Sequence, residues 1–534
     1  MGIWRTRLAI GLTGAALVVA FVAVTGVVSA AQQPQAGGVL RLWMTEDPPT
    51  LDVQIDTRFS VYNRARDLFN TLLRYSKDGY RLEPELLASM PTVSADGLTY
   101  TFTLRSGVRF HDGTPLRSSD VKYTFERLLT PATKSPNTWI LEPVVGAKEM
   151  LEGKAQQLAG LEIIDELRFR IRLSYPYAPF LSQLAMPPVS IYPEKAARAA
   201  GENWGLQPIG TGPFRFKEWR RGERLVFERN AGYFEKPYPY VDRLEFRIVP
   251  DEATGILEFE AGNFDITGIP DADFERLTRD PRWKPYIVSQ SSLNTYYYML
   301  NVKIPPLNDA RVRKAIAMAI DREALVNQLL TGRARVANSF VSPGIPGQKD
   351  LEVYPYNPQE ARRLLAEAGY PNGFSIETWQ TSSETWLRRN EAIQAMLRQV
   401  GIDVKIVQVD SASYRQARGQ GNIPIIQGNW WADFPDPDNY LYVFFHSTQS
   451  RNYSSNYADP QVDAWLERAR TLTNFDERAR LYQQAERKIV VDDVAVVPLW
   501  HLQDFAIVQP WVHDYFLHPS GVENALKYVW LSKR

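Results

Sequence analysis

Not one cysteine occurs in 534 residues, although the chain opens with an export signal. Such a chain leaves the cytoplasm without disulfide staples and must hold its fold by burial alone. The signal is explicit. Arg5 and Arg7 precede an uncharged stretch from Leu8 to Ala31, after which the sequence turns polar at Gln32-Gln33-Pro34-Gln35. Small residues at Val28-Ser29-Ala30 and Ser29-Ala30-Ala31 offer cleavage after Ala30 or Ala31, and a retained segment would tether the body to the membrane. The absence of cysteine also excludes thiolate zinc sites, cysteine nucleophiles and a lipid-bearing N-terminal cysteine. With 44% hydrophobic and 23% charged residues the body can bury a large core, and length alone allows three or four domain-sized units. The 61 basic and 61 acidic residues leave no positive excess for phosphates, so nucleic acid is excluded as the main partner.

Strand and helix patterns alternate along the body. Gly37 to Trp43 alternates as a strand that Pro48 and Pro49 terminate, and Asp96-Gly97 turns the chain into a second strand over 98–104. Arg109 to Pro115 reads as a further short strand, followed by a helix through Val121, Phe125 and Leu128 with Ser119 and Asp120 as its cap. Strands are predicted at 225–228 and 244–249. Beyond Asn308-Asp309, apolar Val312, Ile316, Ala319 and Ile320 recur at helical spacing, which predicts a helix running on towards Leu330. Asn357-Pro358 opens a helix that Gly369 closes, another runs from about Glu384 to Gly401, and a strand follows over 402–409. Asp459-Pro460 caps a helix, Phe475 to Val490 forms one more, and Ala506-Ile507-Val508 is a late strand. The layout is mixed α/β.

Five blocks, in order, resemble the extracytoplasmic solute-binding proteins of peptide-type ABC transporters, solute-binding protein family 5. They are Asn70 to Tyr75 with Glu83 to Ala88; Asp96 to Arg105 with Phe110 to Pro115; Gly210 to Phe214; Arg311 to Ile316 with Ala319 to Arg322; and Trp431 to Tyr440. The resemblance implies a two-lobed periplasmic-binding-protein fold with hinge strands and an extra N-terminal inserted subdomain. Its parts map as an export segment 1–30, lobe I over 36–66, the inserted subdomain over 67–205, lobe I again over 206–290, lobe II over 291–500, and a C-terminal return to lobe I over 501–534. It implies a monomer that takes a peptide or other small-molecule ligand, delivers it to membrane permease subunits of an importer, needs no cofactor or metal and catalyses nothing. It also implies a periplasmic location.

The ligand contacts are expected around Asn429 to Asn439. A carboxylate can balance a buried ammonium, and Asp433 stands where peptide-binding relatives hold the aspartate for the peptide N-terminus. Trp430 and Trp431 beside it suggest an apolar wall, with core packing as the alternative. Asp436 is a further candidate contact, although it and Asp438 fit loop organisation better. Tyr296 and Tyr298, in the run Tyr296-Tyr297-Tyr298, are candidates near a lobe crossing, against the plainer reading of a packed strand. Dipeptide-binding relatives place an arginine for the ligand carboxylate where this chain has Gln380, so Gln380 joins the candidate site without that charge, and Arg388 or Arg389 would replace it only if their helix faces the cleft. Oligosaccharides and opine-like compounds therefore stand beside peptides as ligands. A secreted hydrolase is the more remote alternative, since neither a nucleophile elbow nor HExxH is present. Asp433, Asp436 and Asp438 lack the glycine-turned loop and closing glutamate of a calcium site, and the five histidines are scattered.

Overall fold

The strand at the start of the body forms over Val39–Met44 and pairs in parallel with Arg243–Ile248, while Arg224–Arg229 and Phe214–Arg220 extend the sheet antiparallel. In this computed structural model residues 33–521 and 526–533 are described; the expected export segment with its cleavage sites at Ala30 and Ala31 lies outside the described residues. Alternation buries Leu40 and Leu42 on one face of that sheet with Phe214, Phe227 and Phe246.

A second four-stranded sheet is wholly antiparallel, in the order Thr92–Val93, Thr99–Thr103, Arg168–Arg172, Leu161–Ile163. Phe102 stacks on Phe169 with ring centres 4.9 Å apart, beneath the helix Ser118–Leu129. Two local expectations change here. Arg109 to Pro115 is a tight turn closed by a single bridge between its ends rather than a strand. The helix starts at Ser118, so Asp120 is its third residue and reaches back to accept from the Arg117 N–H at 2.9 Å instead of capping from outside.

The largest sheet has eight strands. Its main path runs Ile266–Gly268, Val496–Val508, Asn294–Leu300, Ile425–Trp431, Phe374–Thr381, Ile402–Val409, with Ile287–Ser291 and Ala334–Val336 also paired to Val496–Val508. Strand alternation splits its side chains between two cores. Tyr296, Tyr298 and Leu300 face the helices Ala310–Ala319, Pro358–Glu367 and Glu384–Arg398, while Tyr297 and Met299 face Asp438–Phe445, Pro460–Thr471 and Phe475–Arg487. The expected caps form: Asn357 accepts from the Glu360 N–H at 3.0 Å, and Asp459 from those of Gln461 and Val462 at 2.9 and 3.0 Å. The helix expected to run on to Leu330 instead breaks after Ala319, because Asp321 accepts from the Ala324 N–H at 2.9 Å and starts a new turn.

Only the end of Val496–Val508 was expected as strand, yet it is 13 residues long. One end pairs with Ile266–Gly268 and Ile287–Ser291, the other with Asn294–Leu300 and Ala334–Val336. Ile287–Ser291 and Asn294–Leu300 are parted only by Ser292 and Leu293, so two antiparallel strands run between two parts of the molecule. Among the described residues no helix is long and apolar enough to cross a membrane.

Candidate functional site

The strand Ile425–Trp431 leaves the large sheet into a proline-stiffened loop that ends at the helix Asp438–Phe445. Asn439 ties this loop back on itself. Its Oδ1 accepts from the Asp433 N–H at 2.9 Å and from the Trp430 indole N–H at 3.0 Å, and its amide donates to Asp433 Oδ2 at 3.1 Å. On the other side Phe434, 2% exposed, enters the core otherwise drawn from residues 72–191, with its ring 6.3 Å from Trp139. Asp433 is thus held from both flanks while its side chain stays open to water. Protein crowds it on the remaining sides, and desolvation pushes its carboxyl up to about 6 against the lowering effect of the Asn439 amide.

The neighbouring acids behave differently. Asp436 is buried and takes both guanidinium nitrogens of Arg478 at 2.6 and 2.7 Å. Both its oxygens are spent, so this candidate contact is corrected to a structural ion pair. Asp438, also buried, accepts from Tyr482 Oη at 3.0 Å and pairs with Arg470 at 3.2 Å.

The aromatic candidates separate as well. Trp430 is half-buried, edge-on to Phe444 at 5.0 Å, and its N–H is occupied by Asn439, so it braces the loop. Trp431 meets the exposed Phe59 edge-on at 6.1 Å. Tyr296, 6% exposed, stacks on Trp500 at 5.3 Å and Trp386 at 5.6 Å. Tyr298 is corrected to a core residue: it is fully buried and its hydroxyl donates to Asn390. Gln380 is 2% exposed, and its Oε1 accepts from Asn390 at 2.8 Å.

Two cavities flank this framework. The larger, about 690 Å³, is lined by Trp43, Phe59, Arg64, Arg333, Phe505 and Tyr515 among others, and Phe59 connects it to Trp431. The field of Asp433 reaches Tyr62 on the same helix, Phe59–Leu68. The smaller, about 200 Å³, is lined by Tyr297, Gln380, Trp386, Arg418, Gln427 and Tyr453 among others. Its origin lies in the sheet. The parallel strands Phe374–Thr381 and Ile425–Trp431 pair only at Thr378 with Ile425 and Trp379 with Ile426, then diverge. Among the described residues the edge facing Phe374–Thr381 has no ladder partner beyond Ile426, and a crevice opens at the carboxyl ends of parallel strands, where α/β sheets place ligands. The Gln427 amide, 3% exposed, lines it without a hydrogen-bond partner among the described residues. At Gly428 a Cβ would come within 2.8 Å of the Tyr297 ring, so glycine alone lets that ring lie flat against the strand.

The model of the bacterial extracellular solute-binding proteins, family 5, matches residues 81–452. The chain belongs to this family. Solute-binding protein family 5 consists of transporter binding proteins, and the mixed sheet-and-helix architecture is its two-lobed fold. The chain is 32% identical to heme-binding protein A of Haemophilus influenzae, covering 86% of this chain and 87% of that protein. It is 30% identical to the dipeptide-binding protein of Escherichia coli, covering 89% and 91%. The structure of the periplasmic binding protein DppA of Helicobacter pylori in complex with the peptide STSA superposes with a TM-score of 0.76 at 28% identity, covering 93% and 99%.

For this family 5 member, sequence reasoning singled out the segment Asn429 to Asn439 as the candidate contact loop but did not pick out Asn439 and Phe434 as its anchors, nor Arg478, 42 residues from Asp436. It also missed Phe59 and Arg333. Of the two arginines it weighed, Arg388 is exposed and Arg389 is buried. Helical spacing from Arg389 through Ile393 to Leu397, all buried, was the pattern that could have chosen between them.

Proposed function

We propose that this protein captures short peptides in the cleft beside Asp433, without chemical change, and delivers them to the permease subunits of an ABC importer. The observation that carries the reading is the Asp433 carboxylate, open to water between two anchors, in a loop whose other acids are buried and paired. An ammonium group of the ligand pairs with Asp433, and its main chain adds to the unpaired edge of Ile425–Trp431 beyond Ile426. The peptide-binding relatives and the peptide-bound neighbour support this ligand class. Lobe I over 36–66, 206–290 and 501–534 closes on lobe II over 291–500 about the two crossing strands, with 67–205 as the inserted subdomain. Closure follows because only the closed state makes every ligand contact. The protein works as a periplasmic monomer, freed by cleavage after Ala30 or Ala31 or tethered if the segment is retained.

The test is to purify the protein under native conditions and identify co-purifying small molecules by mass spectrometry, then to titrate the compound calorimetrically. A mixture of short peptides is the expected outcome. An oligosaccharide or another amine-free compound would keep the transport role and discard the ammonium pairing. Release of an altered product would discard binding without chemistry.

A further inference from the structure

Two arginines converge on one acid. Arg333 pairs with Asp271, which lies in the short turn Asp271–Asp273, and Arg389 of the helix Glu384–Arg398 lies 3.7 Å from the other oxygen of the same carboxylate. That separation is too long for a hydrogen bond. The Arg389 guanidinium instead rests 5.3 Å from the Tyr296 ring centre and 5.8 Å from that of Trp500. Aromatic faces attract and orient a cation without neutralising it. The other acids nearby are engaged elsewhere: Asp273 pairs with Arg276, and Asp504, whose field reaches Arg333, accepts from Ser292 and forms no ion pair among the described residues. Two guanidiniums therefore converge on the one exposed carboxylate of Asp271, and Asp504 adds a second, longer-range carboxylate on the Arg333 side only.

The partners differ in freedom. The Arg389 side chain is 9% exposed and clamped by rings, whereas that of Asp271 is 61% exposed. If the bridge opens, the carboxylate is what moves. The cluster also adjoins both cavities: Arg333 lines the larger, and Tyr296 stacks on Trp386 and has Asn429 at its hydroxyl, both of which line the smaller.

We propose that Arg389, backed by Arg333, is an anion receptor of the cleft, that Asp271 is its resident counter-ion, and that the carboxylate of a bound peptide displaces Asp271. The proposal rests on the peptide reading above. Exchanging one carboxylate for another keeps the charge constant, so the ligand enters without first exposing a bare buried cation. The planar guanidinium, fixed in orientation by two rings, can then receive both oxygens. The clamp absent at Gln380 is thereby supplied from the next helix.

The experiment titrates matched probes calorimetrically into the full-length mature protein: Ala-Ala-Ala against its C-terminal amide, and Ala-Glu-Ala-amide against Ala-Gln-Ala-amide. The first pair reads a terminal carboxylate, the second a side-chain one. Arg389→Gln is expected to weaken at least one acidic probe about tenfold and its neutral partner less than about twofold, with Arg389→Lys in between. Asp271→Asn is expected to strengthen the same acidic probe severalfold, because its competitor is gone. The proposal is overturned if Asp271→Asn weakens acidic and neutral probes alike, which makes the bridge a mere tie, or if Arg389→Gln weakens both equally. Should no probe bind the unmodified protein, the peptide reading fails and a separate measurement judges the receptor. Glutarate should then raise the melting temperature of Asp271→Asn more than that of the unmodified protein, and glutaramide should not; equal responses would reject it.

Discussion

Asp433 and Asp436 stand three residues apart in one loop and have opposite surroundings. Asp433 keeps one side in water and, among the described residues, has a single neutral side-chain partner, Asn439. Asp436 is 5% exposed and closed by both arms of Arg478, and Asp438 beyond it is shared by Tyr482 and Arg470. A buried acid paired with both arms of an arginine is shut off from a ligand, because reaching it would mean breaking a desolvated ion pair. An open acid held in place by neutral groups keeps its charge available. The difference teaches that the paired acids build the platform and the unpaired one is displayed on it. Phe434 and Asn439 extend the same logic, since neither contributes charge and both fix the direction in which Asp433 points.

The sharpest way to break this comparison is to remove the acid that has a partner. Asp436→Ala leaves the Arg478 guanidinium buried without its carboxylate, and we expect a loss of about 3–5 kcal/mol in chemical denaturation. Peptide affinity of the protein that remains folded should change less than about twofold. A fall in affinity without a fall in stability would put Asp436 in the site and erase the distinction. The mirror-image change is Asp433→Asn. There the stability should hold or rise at neutral pH, because the ionised carboxylate is disfavoured in the folded state, while affinity for a peptide with a free amine falls by more than tenfold, at least about 1.4 kcal/mol by calorimetry. The same peptide with its amine acetylated should bind both proteins equally, and unequal binding would mean that Asp433 acts through the loop rather than on the amine.

How much of this was legible in sequence follows from how local each determinant is. The caps at Asn357 and Asp459 act over two or three residues, and they form where the residue order places them. The Asp433 loop could be proposed because its prolines, acids and tryptophans are contiguous and because the family resemblance places an aspartate there. The long strand Val496–Val508 was recognised only at its end: Val496 to His501 are all buried, so period-two alternation fails, and Pro498 argues against a central strand. The Asp321 break escaped because the apolar spacing continues straight through it. The ion pairs of Asp436 with Arg478 and of Asp271 with Arg333 join residues far apart in sequence, and no local pattern announces either. The small cavity is less legible still, since it comes from the point at which two strands part company rather than from any residue.

Smaller effects sharpen the comparison through protons. The Asp433 carboxyl is pushed up to about 6, so the ionised form that pairs with an ammonium is lost as the pH falls through that value. Affinity for an amine-bearing peptide should decline by up to about tenfold per pH unit below 6, and Asp433→Asn should flatten the profile. The ligand-free protein has the opposite slope from this group. A folded-state value above the ordinary carboxylate range means that the folded state holds the proton more tightly, so the stability contribution is complete at low pH and fades as the pH rises through 6. Asn439→Ala gives the smallest change. Removing the amide donor takes away a side-chain hydrogen bond that favours the charged form, so the midpoint of the binding profile should move above 6 while affinity at pH 8 falls only about threefold. A midpoint that stays at 6 would mean that Asn439 merely braces Trp430, and that Asp433 owes its open, charged state to the anchor at Phe434 alone.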